Sequence, residues 1–311
     1  MIPLLRPAIT KSDVEAVSKQ LLSLQLAGGK IVNEFEEEFA KYVGTKYAVG
    51  VDTLTAGFIA VLQMLKPTWA TLPSATYISM ANALKQMGVE IQFHDGWVAG
   101  HEYEIATDKG LIVDSAHAID REICKKVPRA IWLFSFHATK LLTTGKGGMI
   151  CTNSKEQYNF LKTLVNNSRV YANNSFEYTV HIPGWNYYMS DIIAALGLSQ
   201  LRNLDFVNRK RDTVKKWYDK YLVFNVRDNW SRYIYQVWVE DFNCFYDRAC
   251  EEGIQCSKHF NPIHLQPAFY TKGKFPVAEE YSQHLISIPF YADMKEEDVK
   301  TVANLINTWR I

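Results

Sequence analysis

The chain has 311 residues, enough for two domains or one large one, and 48% apolar with 22% charged residues is the balance of a globular protein in water. A net charge of +1 gives no electrostatic case for nucleic acid or an anionic membrane, and no apolar run reaches membrane-spanning length. Five cysteines without a Cys-x-x-Cys pair suggest neither a zinc site nor a disulfide framework, and the Pro-broken start is no secretory signal, so a cytoplasmic location is expected.

In chain order, Ser12 reads as the N-cap of a helix reaching Leu24, with Asp13 and Glu15 in its first turn. Val32 to Tyr42 is helical, with Phe35, Phe39 and Tyr42 on one face. Tyr47 to Val51 reads as strand and Thr55 to Leu65 as an apolar helix. Trp69 to Leu72 is strand, Ile78 to Met87 helix and Val89 to His94 strand. Leu111 to Val113, Ala130 to Phe134 and Met149 to Thr152 follow as further strands. Short apolar strands alternating with helices predict an α/β fold, a mainly parallel sheet covered on both faces. Ligands in such sheets sit at the carboxyl ends of the strands, and Asp114, Ser135 and Lys140 all follow strand ends.

From Ser190 the pattern changes. A helix to Leu201 passes almost directly into a second, Phe206 to Leu222. A strand (Arg232 to Val239), a helix (Phe242 to Glu252), an irregular stretch and two helices (Ala278 to His284, Lys295 to Trp309) complete the chain. This predicts a large domain over 1–205 and a small C-terminal α+β domain over 206–311.

Lys140 ends the segment Phe134-Ser-Phe-His-Ala-Thr-Lys140, and Thr143-Thr-Gly-Lys-Gly-Gly148 follows. A lysine at the mouth of a buried strand can serve as an amine nucleophile toward a carbonyl cofactor. Asp114, ending a buried strand, is either an N-cap or a carboxylate facing a protonated ring nitrogen. Ser135 and the main-chain amides around Thr53, Leu54, Thr55 and Ala56 suit a phosphate at a helix start. Tyr77 can stack on a flat ring, and His117 can pack on it or reach its hydroxyl.

These segments, in this order, resemble the DegT/StrS family of sugar-nucleotide aminotransferases, fold-type I pyridoxal-phosphate enzymes. Gly28 to Glu36 and Phe39 to Val51 resemble the family's opening. Thr53-Leu-Thr-Ala56 stands where the family has its Ser-Gly-Thr-Ala phosphate turn. Pro73-Ser-Ala-Thr-Tyr77 resembles the ring-stacking segment, and Asp114-Ser-Ala-His117 the Asp-Ala-Ala-Gln/His motif. Ser135 to Lys140 has the family's step from phosphate-binding serine to Schiff-base lysine. Gly184-Trp-Asn-Tyr-Tyr-Met189 resembles the segment whose asparagine, here Asn186, reaches the cofactor phosphate of the partner subunit. His259 to His264 and Ile288-Pro-Phe290 match C-terminal markers.

The resemblance implies a pyridoxal 5′-phosphate enzyme that moves an amino group, with L-glutamate as donor, to a nucleotide-linked keto sugar. It implies Lys140 as the catalytic residue and a homodimer with a shared active site. Several positions depart from the pattern. Leu54 replaces a glycine, Tyr188 an arginine and Lys146 a glutamate. Thr76 and Asp114 lie only 38 positions apart (76 to 114), so a strand-helix unit is missing, and Asp95 to His101 reads as a short bypass. Family members that are dehydratases carry histidine at the lysine position, and Lys140 argues against that reading. A catalytically degenerate homologue, binding cofactor or sugar nucleotide as a sensor or partner subunit, is the alternative that Leu54 and the shortened segment raise. A P-loop is excluded because Gly147, not Ser or Thr, follows Lys146, and no Gly-x-Ser-x-Gly elbow is present.

Overall fold

Capping chemistry sets the start of the first helix, α1 (Lys11–Leu22), and it moves the cap from the expected Ser12 to Thr10. The Thr10 hydroxyl accepts from the Asp13 amide at 3.4 Å, and the Asp13 carboxylate accepts from the Thr10 amide at 2.8 Å. That is a reciprocal Thr-x-x-Asp capping box, and it places Ser12 inside the first turn. The structure is a computed structural model that describes residues 1–172, 177–223 and 231–309.

Helix α2 (Lys30–Val43) follows. Strand β1 (Tyr47–Val51), α3 (Leu54–Leu65), β2 (Trp69–Ala75), α4 (Ser79–Gln86) and β3 (Glu90–Trp97) alternate after it. Then come β4 (Tyr103–Thr107), β5 (Gly110–Asp114), β6 (Ile131–Ser135), β7 (Gly148–Thr152) and α5 (Lys155–Leu164). A two-residue-strand hairpin, β8 (Val170–Tyr171) and β9 (Tyr178–Thr179), precedes the long α6 (Asp191–Tyr221). The C-terminal part holds β10 (Tyr235–Trp238), α7 (Phe242–Glu251), α8 (Pro276–His284), β11 (Leu285–Ile288) and α9 (Glu296–Thr308).

Strands β1 to β7 form one sheet in the order β1-β7-β6-β5-β4-β2-β3. β5 pairs parallel with β6, and β2 with β3, while the other neighbours are antiparallel. Five strands therefore run one way, and only β4 and β7 run back. The carboxyl ends of the five and the amino ends of the two lie on one rim. β4 was not expected from the sequence. It forms a hairpin with β5, in register from Thr107 opposite Gly110 to Tyr103 opposite Asp114, and it touches β2 through Ala70 and Thr107. An antiparallel strand thus keeps the sheet continuous across the segment that the sequence reads as shortened.

Side chains alternate across the sheet. From β6, Trp132 and Phe134 enter the core under α2 and α6, while Ile131 and Leu133 enter the core under α3, α4 and α5. On the first face Phe39 lies edge-on to Phe134 and Phe136, with ring centroids 5.0 and 5.3 Å away. A third core joins Val214 and Tyr218 of α6 to β10, β11, α7 and α9.

α6 is a single helix, not the expected pair. Leu201, Leu204, Val207 and Val214 are all buried, so the apolar stripe continues at helical spacing, and no Gly or Pro interrupts Arg202 to Phe206. The helix crosses the expected boundary at 205 unbroken, and it serves the first core with one half and the third core with the other.

Candidate active site

Four of the same-direction strands deliver their following residues to the rim, and these residues surround one cavity of about 570 Å³. Thr53, Leu54 and Thr55 follow β1, Tyr77 follows β2, Asp114 and His117 close β5, and Ser135 and Lys140 close β6. Every site residue expected from the sequence therefore lines this cavity except Asn186. That residue is exposed on a stretch bridged to Asn166, outside the cavity of its own chain.

At one end is the start of α3. Thr53 is its N-cap and its hydroxyl accepts from the Ala56 amide at 3.0 Å, leaving the Leu54 and Thr55 amides without an acceptor among the described residues. Ser135 is buried beside them, and its hydroxyl accepts from the His137 amide at 3.4 Å. Gly148 opens β7 directly against this turn. A Cβ there would lie 2.6 Å from the Leu54 nitrogen and 2.8 Å from the Thr53 carbonyl carbon. Free amides at a helix start beside a buried hydroxyl form an anion cradle, and the leucine in place of the family's glycine leaves the Leu54 amide available.

At the other end is Asp114, 4% exposed. Its Oδ1 accepts from the Ala116 amide at 2.9 Å and its Oδ2 from the Tyr103 hydroxyl at 2.8 Å. Burial pushes this carboxyl above the usual carboxylate range, while the two hydrogen bonds and the Lys140 charge pull it down. It has no salt-bridge partner among the described residues. A protonated ring nitrogen would supply the missing positive neighbour.

Lys140 sits in a turn closed by its amide donating to the His137 carbonyl at 2.9 Å. Its Nζ donates to the Tyr233 hydroxyl at 3.3 Å and lies 4.4 Å from that ring's centroid. His117 stacks on Tyr233 with centroids 4.3 Å apart, and its Nδ1 accepts from the Gly100 amide at 3.1 Å. Burial, then the charges of Lys140, His259 and His101, hold His117 well below the usual histidine range, so it is a neutral ring. Tyr77 is 59% exposed at the mouth, its ring 6.0 Å from that of Phe260.

Tyr103, Tyr233, His259 and Phe260, not expected from the sequence as site residues, also form the walls. For Tyr103 a signal existed: Tyr103-Glu-Ile-Ala-Thr107 and Gly110-Leu-Ile-Val flank the turn pair Asp108-Lys109, a hairpin pattern. Tyr233 and His259 come from the C-terminal part, and only tertiary packing brings them here. Among the described residues no helix is long and apolar enough to cross a membrane, and no group of His, Cys, Asp or Glu could hold a metal ion.

The chain resembles known proteins over nearly its whole length. The chain is 27% identical over 362 aligned positions to the UDP-4-amino-4,6-dideoxy-N-acetyl-beta-L-altrosamine transaminase of Campylobacter jejuni serotype O:23/36, covering 96% of this chain and 94% of that one. The aminotransferase TlmJ of Streptoalloteichus hindustanus superposes with a TM-score of 0.88 at 22% identity, over 99% of this chain and 98% of that one. A Streptococcus pneumoniae protein assigned as a sugar aminotransferase and solved in its PLP form gives 0.82 at 20% identity, over 99% and 98%. The DegT/DnrJ/EryC1/StrS family model matches in two stretches, 7–109 and 100–307, which meet where β3 passes into the unexpected β4. These matches span nearly the whole chain, which belongs to the DegT/DnrJ/EryC1/StrS aminotransferase family.

Proposed function

We propose that the protein uses pyridoxal 5′-phosphate to transfer an amino group from L-glutamate to the keto group of a nucleotide-linked deoxysugar, making an amino sugar for glycan or cell-surface polysaccharide synthesis in the cytoplasm. The observation that carries this reading is one cavity holding an anion cradle, a lysine amine and a buried carboxylate with no salt bridge among the described residues. When bound, the cofactor supplies an electron sink for the α-carbon of an amino acid.

The chain's own residues supply the rest. The Leu54 and Thr55 amides, Thr53 and Ser135 hold the phosphate, and Asp114 keeps a ring nitrogen protonated. Lys140 would hold the cofactor through its carbonyl carbon, and with the amino donor in its place its Nζ would carry a proton to and from the donor's α-carbon. Tyr77 and His117 flank the ring. Tyr233, whose hydroxyl accepts from Lys140, steadies that amine.

The reading includes a homodimer in which Asn186 serves the partner's site. Its exposure on its own chain supports this, as do the exposed apolar residues Val170, Tyr171, Tyr178, Val180, Ile182 and Trp185 around it. The division into a cofactor-binding part, 1–205, and a small C-terminal part, 206–311, belongs to the same proposal.

Spectroscopy tests it. Protein mixed with pyridoxal phosphate is expected to show a visible absorption band that borohydride fixes covalently, and L-glutamate is expected to shift it to shorter wavelength. Lys140→Ala is expected to leave no cofactor fixed. Covalent fixation that survives the Lys140→Ala change would sink the lysine assignment. A wild-type band indifferent to glutamate and every other amino donor would favour the degenerate homologue.

A further inference from the structure

The residues that replace the missing unit do more than bridge the gap. β4 runs against the five-strand direction, so its first residue, Tyr103, lies on the active-site rim directly opposite Asp114. The Thr76 hydroxyl donates to the Tyr103 oxygen at 3.0 Å, and the Tyr103 hydroxyl donates to Asp114 Oδ2 at 2.8 Å. Because Thr76 already fills a lone pair of that oxygen, the single phenolic proton is committed to the carboxylate. The family match divides at 100–109, the same segment, and the Campylobacter relative aligns over 362 positions although this chain has 311 residues.

We propose that Tyr103 is a positioning residue for Asp114, holding its carboxylate in the orientation and charge state that a protonated cofactor nitrogen requires. The inference deepens the proposed function and rests on it. Asp114 is buried and among the described residues has only neutral donors, the Ala116 amide and the Tyr103 hydroxyl. A hydrogen bond to a carboxylate favours its charged form, and removing one of two leaves burial less opposed. Burial and the Asp114 charge hold the Tyr103 hydroxyl well above the usual phenol range, so it remains a donor through the neutral range. Lys140 after β6 is the charged group that acts on Asp114, and His117, His101, His259, Tyr233, His137 and Lys146 line the same cavity. All of them remain in a Tyr103→Phe variant.

Two readouts separate this role from simple packing. In cofactor-free protein labelled with ¹³C-aspartate, the Asp114 carboxyl signal, assigned by its loss in Asp114→Asn, is expected to titrate about one pH unit higher in Tyr103→Phe. The Kd for pyridoxal phosphate is expected to rise on the order of 10-fold, with the acid limb of binding moving up in step. Thr76→Val, which keeps the tyrosine, is expected to give a smaller shift of the same sign, and it carries the test should Tyr103→Phe fold poorly. An Asp114 titration unmoved by both variants, or a changed melting temperature with unchanged titration and Kd, overturns the proposal. Failure of the wild-type protein to bind pyridoxal phosphate refutes the proposed function instead, since the Asp114 titration needs no cofactor.

Discussion

Gly148→Ala offers a sharp test of the phosphate cradle. The new methyl would stand 2.6 Å from the Leu54 nitrogen, 2.8 Å from the Thr53 carbonyl carbon and 2.9 Å from the Leu54 Cα. Ordinary carbon contacts are about 3.5–4.0 Å, so the start of α3 must retreat by roughly 1 Å. All three neighbours are backbone atoms of a capped helix start, so no flexible side chain can swing aside. Overpacking of this kind costs about 1–3 kcal/mol.

For a chain of this length that cost lowers the melting temperature by roughly 2–5 °C. The displaced atoms carry the Leu54 and Thr55 amides assigned to the phosphate, so the same change is expected to raise the Kd for pyridoxal phosphate by about 10-fold or more. Calorimetry and absorbance titration of the cofactor-free protein read the two effects separately. A variant that melts within a degree of wild type and binds the cofactor within about twofold would refute both the close contact and the cradle.

Two further outcomes are expected. Burial, and then the Lys140 charge, push His259 down to about 4, below its value of about 6.5 in an unfolded chain. On acidification the unfolded chain takes up this proton first. Its contribution, roughly 3 kcal/mol, is therefore complete above pH about 6.5 and lost as the pH falls toward about 4. His259→Phe is expected to flatten the acid limb of melting temperature against pH, and an unchanged slope would show that the ring does not titrate on unfolding. Mixing inactive Lys140→Ala and Asn186→Ala subunits is expected to restore about a quarter of the wild-type sites, since only mixed dimers pair an intact Lys140 with a partner's intact asparagine. No recovery on subunit exchange would place Asn186 outside the partner's site.

The residues most directly tied to the proposed chemistry were legible because their signals are local. Asp114, Ser135 and Lys140 follow short apolar strands, and Thr53 caps an apolar helix. In a sheet whose strands mostly share one direction, such positions converge whatever the details of packing. The capping box at Thr10 was equally local, yet Ser12 was the expected cap, because a serine beside an acidic residue imitates the same pattern two positions along.

What the sequence determined by itself was the alternation of elements, the polarity of the strand ends and the identity of Lys140, Asp114 and the α3 start, all carried by neighbours within a few positions. Tertiary structure alone decided three things. It joined two expected helices into α6, because a buried stripe continues through Leu204 into the third core. It set β4 beside β2, through Ala70 and Thr107, so that the hairpin continues the sheet. It brought Tyr233 onto Lys140 from 93 positions away. These contacts depend on which surfaces remain to be covered once the sheet has formed, and no short window of sequence records that.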